Sequence, residues 1–467
     1  MTLIDDLNAL LGPDRVLRHP LDRTVFAKDA GVTSGDVIAA VLPESTSEVA
    51  AVVKIAQHHN TPMVPRGAGT GLAGGAVPAE PGLLIVLTRL NQIHEVDELA
   101  RTAWVGPGVI NLDLSKQLEP MGLHFAPDPS SQQACTIGGN VGTNAGGPHC
   151  LADGTTIAHI VAVEFVTANG DILTLGSEAP DQPGLDLRAI VVGSEGTVGL
   201  VTRVLVRLTE NAPDVATLLI GFGSIDGAAG TVSGIIAAGL IPAALEIMDA
   251  PMVKAVENFV HAGYPTDAGA VLLAEVTGTA VDVAAGVDTI KSVARQHGAM
   301  AVRVATAAAE RALLWKGRKA AFGAVAQAAP DYYLHDTVVP RTALVDVMSK
   351  IYEIGDRYEL LMLNVFHAGD GNLHPLVAFD SKEPGLLDRV QAAAREMVEV
   401  SIDAGGSLSG EHGIGLEKRD LMGLVFSDVD LDAQARVRDA FDESRLMNPG
   451  TVLPEGSRCF DANGVRL

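Results

Sequence analysis

The feature that most constrains this chain is one loop, Pro65-Arg66-Gly67-Ala68-Gly69-Thr70-Gly71-Leu72-Ala73-Gly74-Gly75. Its glycines admit backbone with φ > 0 and let the main chain approach a ligand closely. Successive backbone N–H groups in such a loop form a concavity suited to a phosphate or pyrophosphate. Gly69 to Gly74 spells G-x-G-x-x-G, which marks a dinucleotide fold only between a strand and a helix. Here Pro78, Pro81 and Gly82 follow, then the strand-like run Leu83-Leu84-Ile85-Val86-Leu87. No helix can start on the last glycine, so a Rossmann unit is excluded. A phosphate cradle of another kind remains, or a glycine-rich turn without a ligand.

A chain of 467 residues is too long for one core and divides into two or three domains. With 47% hydrophobic residues and 50 glycines, it reads as an ordered Ala/Gly/Val-rich α/β protein. The net charge of −24 argues against nucleic acid or anionic membrane as a partner, since both need a positive face. An acidic small substrate stays open, because a site needs only one or two local cations. Cys135, Cys150 and Cys459 are odd in number and far apart. They fit a reducing compartment and make neither a disulfide framework nor a paired-thiolate metal site. Met1 to Leu11 carries Asp5 and Asp6 and lacks the basic start of a signal peptide. The most apolar segment, Ile235 to Leu245, is broken by Pro242 and falls short of the roughly 20 residues of a membrane span. A soluble, cytoplasmic protein is expected.

A strand from Val37 to Leu42 leads into a helix announced by Ser45-Thr46-Ser47-Glu48, a capping box. That helix runs to about His58, and a short strand ending at Pro65 delivers the glycine loop. Leu83 to Leu87 and Ala103 to Val105 read as strands, with a helix near Leu112 to Glu119. A second glycine cluster spans Phe125 to Asp153 and reads as loop, either brought against a flat ligand or merely connecting. Ile157 to Thr167 and Ile172 to Leu175 form a hairpin on an Asn169-Gly170 turn. Gly193 to Gly199 precedes a strand from Leu200 to Leu208, and one α+β domain closes near Glu210. From Thr217 to Val304, strands and helices alternate as two β-α-β units, a ferredoxin-like sheet covered by helices.

The sharpest chemical signal is Asn364-Val365-Phe366-His367-Ala368-Gly369-Asp370-Gly371-Asn372-Leu373-His374-Pro375. A strand over Leu361 to Phe366 enters a glycine turn and a second returns from Leu373, so His367 and His374 flank one mouth of the sheet. Two imidazoles so held suit a divalent metal, although most isolated histidines are surface or core residues. Ser409-Gly410-Glu411-His412-Gly413-Ile414-Gly415 adds a carboxylate and an imidazole between glycines. Glu411 would be a third ligand that leaves coordination positions open, and His412 a general base; the bland alternative is a capped turn. Leu314 to Lys319 lies on a helix, where Arg318 either forks onto a substrate carboxylate or belongs to a solvated basic face. Met447-Asn448-Pro449-Gly450 is a tight reversal after a helix.

Six motifs in order resemble one family across nearly the whole chain: Pro65 to Gly75, Thr136 to Asn140 with Asn144 to Gly147, Gly193 to Gly199, His367 to His374, Gly410 to Gly415, and Asn448 to Gly450. The family is the FAD-dependent 2-hydroxy-acid dehydrogenases of the vanillyl-alcohol oxidase type, which includes the FAD-binding subunit of glycolate oxidase, D-lactate dehydrogenase and D-2-hydroxyglutarate dehydrogenase. The resemblance implies an α+β fold. A two-subdomain FAD-binding domain of the vanillyl-alcohol oxidase (PCMH) type would occupy 1–210. A ferredoxin-like α/β substrate domain with the metal site would fill 211–425, and a helical C-terminal segment, 426–467, would return to the first domain. Pro65, Arg66, Gly67, Ala68, Gly69, Thr70, Gly71 and Gly75 would bind the FAD pyrophosphate. Pro127, Thr136, Gly139, Asn140, Asn144, Gly146, Glu195, Gly199, Val201 and Asn448 would line the rest of the cofactor. His367, His374 and Glu411 are similar to the family's metal ligands, for Zn or Mn, His412 to its base and Arg318 to its carboxylate anchor. No histidine lies in the Arg66 to Gly75 loop, so non-covalent FAD is expected.

The resemblance implies oxidation of a D-2-hydroxy acid to the 2-oxo acid by a dehydrogenase rather than an oxidase. The metal would bind the substrate hydroxyl, His412 would take its proton and the Cα hydride would go to the flavin. The acceptor would be a quinone, an electron-transfer protein or a partner subunit, and a homodimer is compatible with the chain. Two departures bear on the substrate. Leu376 stands where members acting on D-2-hydroxyglutarate carry Asn, and Tyr333-Leu334-His335-Asp336 lacks a lysine often found before it. Both point to a lactate- or glycolate-like acid, or a bulkier apolar one. Two competing readings are a catalytically silent FAD-binding subunit of an electron-transfer complex and a metal-dependent hydrolase without flavin.

Overall fold

The computed structural model describes residues 1–179 and 183–454, so Cys459 lies outside the described residues. Two compact units divide the chain. The first takes Met1–Gly146, Thr155–Asn211 and the chain from Glu411 on, and the second Gly147–Gly154 and Ala212–Gly410. The chain thus rejoins the first unit at Glu411, earlier than the 426 expected from sequence, because the amides just beyond it are bound by Glu195.

The first unit contains two sheets. One has four strands in the order Val16–Leu17, Val37–Val41, Gly82–Val86, Met63–Arg66. The last three are parallel, and Gly82–Val86 is buried along its whole length, as the unbroken apolar run requires. Helix Thr46–His58 covers this sheet with Val49, Val52, Val53 and Ala56, the spacing of one apolar helical face. Its N-terminus is half of the expected capping box. Ser45 Oγ accepts from the Glu48 N–H at 3.2 Å, but the Glu48 carboxylate turns to Arg15, at 2.7 and 2.9 Å, and to the Glu44 N–H. A bidentate guanidinium outcompetes one backbone donor.

The second sheet is antiparallel, in the order Ile93–Asp97, Thr102–Val105, Gly199–Arg207, Ile160–Thr167, Ile172–Gly176. The Asn-Gly hairpin forms as its turn chemistry dictates, with Gly170 at φ +75° and Val166 paired to Ile172. The glycine cluster expected to be loop holds a short helix, Ile137–Thr143. Three glycines depress its helix propensity by about 1 kcal/mol each, which hid it in the sequence. A Cβ on Gly138 would lie 2.5 Å from Pro107 Cβ, so close packing demands that glycine.

In the second unit the strands Ala299–Ala305, Asp214–Phe222, Ala270–Gly278 and Ala244–Asp249 lie side by side in that order, all antiparallel. This is the ferredoxin-like arrangement, with helices Ile225–Ala237 and Ala280–Gln296 on one face. The sheet continues beyond it to nine strands, because Ala244–Asp249 also pairs with Leu361–His367. Leu361–His367 pairs in turn with Pro375–Phe379, the hairpin read around the two histidines. Side chains alternate across the sheet. Leu218, Ile220, Leu245, Ile247 and Leu272 bury against the helices. The register gives the opposite face to Thr217, Glu275, Glu246 and His367. Among the described residues no helix is long and apolar enough to cross a membrane.

Candidate active site

The glycine loop leaves strand Met63–Arg66 and is braced from beneath by side chains. Arg66 is buried and turned into the protein. Its Nη2 donates to the Lys28 carbonyl at 2.7 Å, its Nη1 to the Ala76 carbonyl at 3.3 Å, and it lies over the Phe26 ring. Burial lowers its pKa, with Asp29 opposing. Asp29 accepts from the N–H groups of Gly31 and Gly74, at 2.8 and 3.0 Å, and the Ala30 N–H donates to the Gly71 carbonyl. Burial raises the Asp29 pKa against those bonds. Meanwhile the amides of Ala68, Gly69, Thr70 and Gly71 donate to no acceptor among the described residues. Braced carbonyls with uncommitted N–H groups are what an anion cradle requires, so these residues fit the pyrophosphate of a dinucleotide. The Arg66 side chain itself shapes the loop from within. Gly69, at φ +72°, would carry a Cβ 2.1 Å from Arg66 Nη2, so any other residue there strains the backbone and displaces the guanidinium.

The other residues assigned to the cofactor divide into two groups. Thr136 Oγ1 accepts from the Gly139 N–H at 3.2 Å and would lie 2.5 Å from a Cβ on Gly67, so a glycine there lets the loop close on it. Asn140 Oδ1 accepts from Asn111 Nδ2 at 3.0 Å, and the same amide group donates to the Pro127 carbonyl at 2.9 Å. Asn111 escaped the sequence reading, having no motif around it. Asn144, at φ +51°, ends the helix and binds the Ile157 N–H, and Gly146 is buried just beyond.

Glu195 and Asn448 spend polar groups on the protein itself, and Gly199 and Val201 pack against core side chains. The Glu195 carboxylate accepts from the Ile414 and Gly415 N–H groups at 2.7 and 2.9 Å. Burial pushes its pKa up to about 7 in spite of those bonds. A Cβ on Gly75 would stand 2.4 Å from its Oε2. Asn448, fully buried at φ +42°, donates through Nδ2 to the carbonyls of Gly75 and Glu195, at 2.8 and 2.7 Å. The two residues clasp loop and returning segment together. Gly199, at φ +149°, meets the Phe165 ring, and Val201 packs into the core of the five-stranded sheet. On the returning segment Glu411 and His412 are partly buried, with Glu411 Oε1 and His412 Nε2 3.5 Å apart.

The second unit brings Arg318, His367 and His374 together. Arg318 ends helix Ala308–Lys319 but is 1% exposed, which overturns the solvated-face reading. Its Nε and Nη2 contact Glu246 Oε2 at 2.6 and 2.5 Å, while Nη1 is buried without a partner among the described residues. Glu246, fully buried, also meets His367 Nδ1 at 2.8 Å through Oε1. A carboxylate only accepts, so it fixes the proton on Nδ1 and leaves Nε2 the lone-pair nitrogen. His374 Nδ1 faces the His335 carbonyl at 3.3 Å. The rings of His367 and His374 stand 5.1 Å apart at 87°, and each offers a ligand nitrogen within 4.8 Å of the other's. Histidines oriented through the second nitrogen by a carboxylate or carbonyl fit a metal centre.

Asp336, fully buried, lies 4.0 Å from His374 Nδ1. It accepts from Ser409 Oγ at 2.6 Å and from the Gly410 N–H at 3.1 Å. Gly410 is the last residue of this unit, and Glu411 and His412 follow it directly in the chain. Sequence reasoning missed Glu246. The one signal was a lone acid in the apolar strand Ala244-Leu245-Glu246-Ile247-Met248, where an unpaired carboxylate is rarely tolerated.

Two family profiles match the chain: an FAD binding domain over residues 37–176 and the C-terminal domain of FAD linked oxidases over residues 212–452. The glycolate oxidase subunit GlcD of Escherichia coli (strain K12) is 45% identical over 427 residues, 91% of this chain and 86% of that protein. The D-lactate dehydrogenase of Anaerostipes hadrus is 32% identical over 460 residues, 95% of each. The structure of substrate-bound p-cresol methylhydroxylase is similar in fold at 16% identity, with a TM-score of 0.83 over 98% of this chain and 97% of that one.

Proposed function

The chain belongs to the FAD-linked oxidases and is an FAD-dependent oxidoreductase acting on hydroxy acids, and from that premise we propose that it oxidises a small D-2-hydroxy acid, lactate- or glycolate-like, to the 2-oxo acid. The observation that carries this reading is the buried Arg318, its Nη1 unpartnered among the described residues, beside an oriented pair of histidines. A buried guanidinium N–H left unpaired is costly, and a substrate carboxylate is the partner that relieves it. Charge supports a metal as well. Glu246 pairs with Arg318 and Asp336 lies 4.0 Å from His374, so a further anion gains little beside these two carboxylates without a divalent cation.

His367, His374 and Glu411 would hold that cation, Zn or Mn, which supplies Lewis acidity toward a hydroxyl. Glu411 as third ligand is supported by its place one residue beyond Gly410, itself tied to the carboxylate next to His374. The amides of Ala68 to Gly71 would hold the pyrophosphate of FAD, which would supply the two-electron acceptor for the Cα hydride. The chain's own residues do the rest. Arg318 Nη1 donates to the substrate carboxylate and fixes which face of Cα is presented. His412 takes the hydroxyl proton, with Glu411 beside it at 3.5 Å to favour the imidazolium that forms. The burial of Glu246, Arg318 and His367 keeps water from these three groups. Leu376, fully buried, offers nothing to a second substrate carboxylate, which suits a small monoacid.

Electrons would leave to a quinone, an electron-transfer protein or a partner subunit; the name of the Escherichia coli relative, a subunit, supports the last. The test is anaerobic addition of D-lactate or glycolate to the flavin-loaded protein. Bleaching of the flavin by the D-acid and not by L-lactate is expected. A flavin- and metal-replete protein that no 2-hydroxy acid bleaches would leave the silent-subunit reading standing instead.

A further inference from the structure

Glu246 belongs to no recognised motif, yet it touches both proposed halves of the substrate site. It projects from strand Ala244–Asp249, opposite His367 in the register, and is fully buried. Its Oε2 takes Nε and Nη2 of Arg318, and both its oxygens lie within hydrogen-bond distance of His367 Nδ1, at 2.8 and 2.9 Å. Arg318 Nη2 and His367 Nδ1 are themselves only 3.4 Å apart. Two donors that would repel are thus gathered on one acceptor.

The helix bearing Arg318 leaves that side chain little freedom to settle elsewhere. Trp315, one turn earlier, donates its Nε1 to Glu275 at 2.5 Å, on the same sheet face as Glu246. Tyr264 donates its hydroxyl to the Leu314 carbonyl at 2.7 Å and lies where a Cβ on Gly317 would be. The helix is therefore pinned, and Glu246 alone decides which edge of the Arg318 fork is spent and which is left.

We infer that Glu246 is a positioning residue that sets two things at once: the His367 tautomer with the lone pair on Nε2, and the Arg318 fork with Nη1 free for a carboxylate. It rests on the function proposed above and adds a consequence: one buried carboxylate couples metal affinity to substrate affinity. Glutamine at this position has one acceptor and one donor. It can satisfy Arg318 or His367, and it turns an N–H toward the other.

The experiment uses the flavin-loaded full chain with its metal removed by chelation, and the variants Glu246→Gln and Glu246→Asp. Long-range proton–nitrogen NMR of 15N-histidine protein is expected to show His367 protonated on Nδ1 in the wild type and redistributed between nitrogens in Glu246→Gln. Titration with Zn2+ alone should show the Gln variant about 10- to 100-fold weaker, the range for loss of a residue that orients a ligand. KM for D-lactate should rise as well, with flavin content unchanged and Glu246→Asp recovering part of both. Wild-type values for tautomer, Zn2+ affinity and KM in a folded Glu246→Gln protein would overturn the inference. If that variant does not fold, the wild-type spectrum decides: a His367 proton on Nε2 refutes it. Should the wild type neither bind Zn2+ nor bleach with a hydroxy acid, the functional reading fails, and the tautomer still tests Glu246 separately.

Discussion

The two proposed binding regions are built from opposite materials. The loop at Pro65–Gly75 offers main-chain amides, with side chains such as Arg66 and Asp29 acting only as braces. The centre at Arg318, His367 and His374 offers side-chain heads, each held by a buried partner. A cradle of amides holds an anion with no buried charge to compensate, and its demand on sequence is negative: no Cβ at Gly69 or Gly75. A cluster of charged heads must be neutralised group by group, so its demand reaches into strands far along the chain.

The difference can be broken experimentally. The largest effect belongs to His367→Ala, expected to lower kcat by more than about a thousandfold, beyond the loss of a single transition-state donor. Flavin absorbance should stay at the wild-type level. Loss of flavin together with turnover would mean that the two regions are not separable.

Arg318→Met comes next. It leaves the fully buried Glu246 uncompensated, and removing one partner of a buried pair costs about 3–5 kcal/mol. A denaturant titration should show that loss, and KM should rise in whatever folds. A variant as stable as the wild type would remove the argument that this pair is tightly balanced.

Gly69→Ala should act in the other region alone. Strained backbone at φ +72° costs about 1–3 kcal/mol, and the added Cβ displaces Arg66. Flavin should elute on gel filtration while Zn2+ affinity is retained; weakened metal binding would contradict the division.

The smallest effect is a pH dependence. Burial holds the Glu195 pKa near 7, above that of an unfolded glutamate, so folding favours its protonated form. Its contribution is present below the ordinary carboxylate range and is lost as pH rises to about 7. Glu195→Gln, which cannot ionise, should gain stability relative to the wild type across that interval in denaturant midpoints. Parallel curves would place the Glu195 pKa at its ordinary value.

How far each region could be read from sequence follows from the same contrast. The loop was legible because its constraint is local: glycines adjacent in sequence are adjacent in space. The hairpin at His367 and His374 was legible for that reason too, a strand, a glycine turn and a returning strand. Glu246 was not. It meets His367 across 121 residues of chain, through a strand pairing that extends the ferredoxin-like arrangement to nine strands. The burial of Arg318 was hidden likewise, since Lys316-Gly317-Arg318-Lys319 reads equally as surface. Glu195 and Asn448 were visible as motif residues, but only the fold shows their polar groups spent on the protein.

The amino-acid sequence alone determined where the backbone must bend, which residue types are available for chemistry and that no helix could follow the glycine loop. Those are short-range consequences of φ freedom, hydrophobic period and turn chemistry. Only the tertiary structure decided which polar atoms are used up and which are left to bind. That depends on partners drawn from distant strands, and a buried charge is set by its neighbours in space.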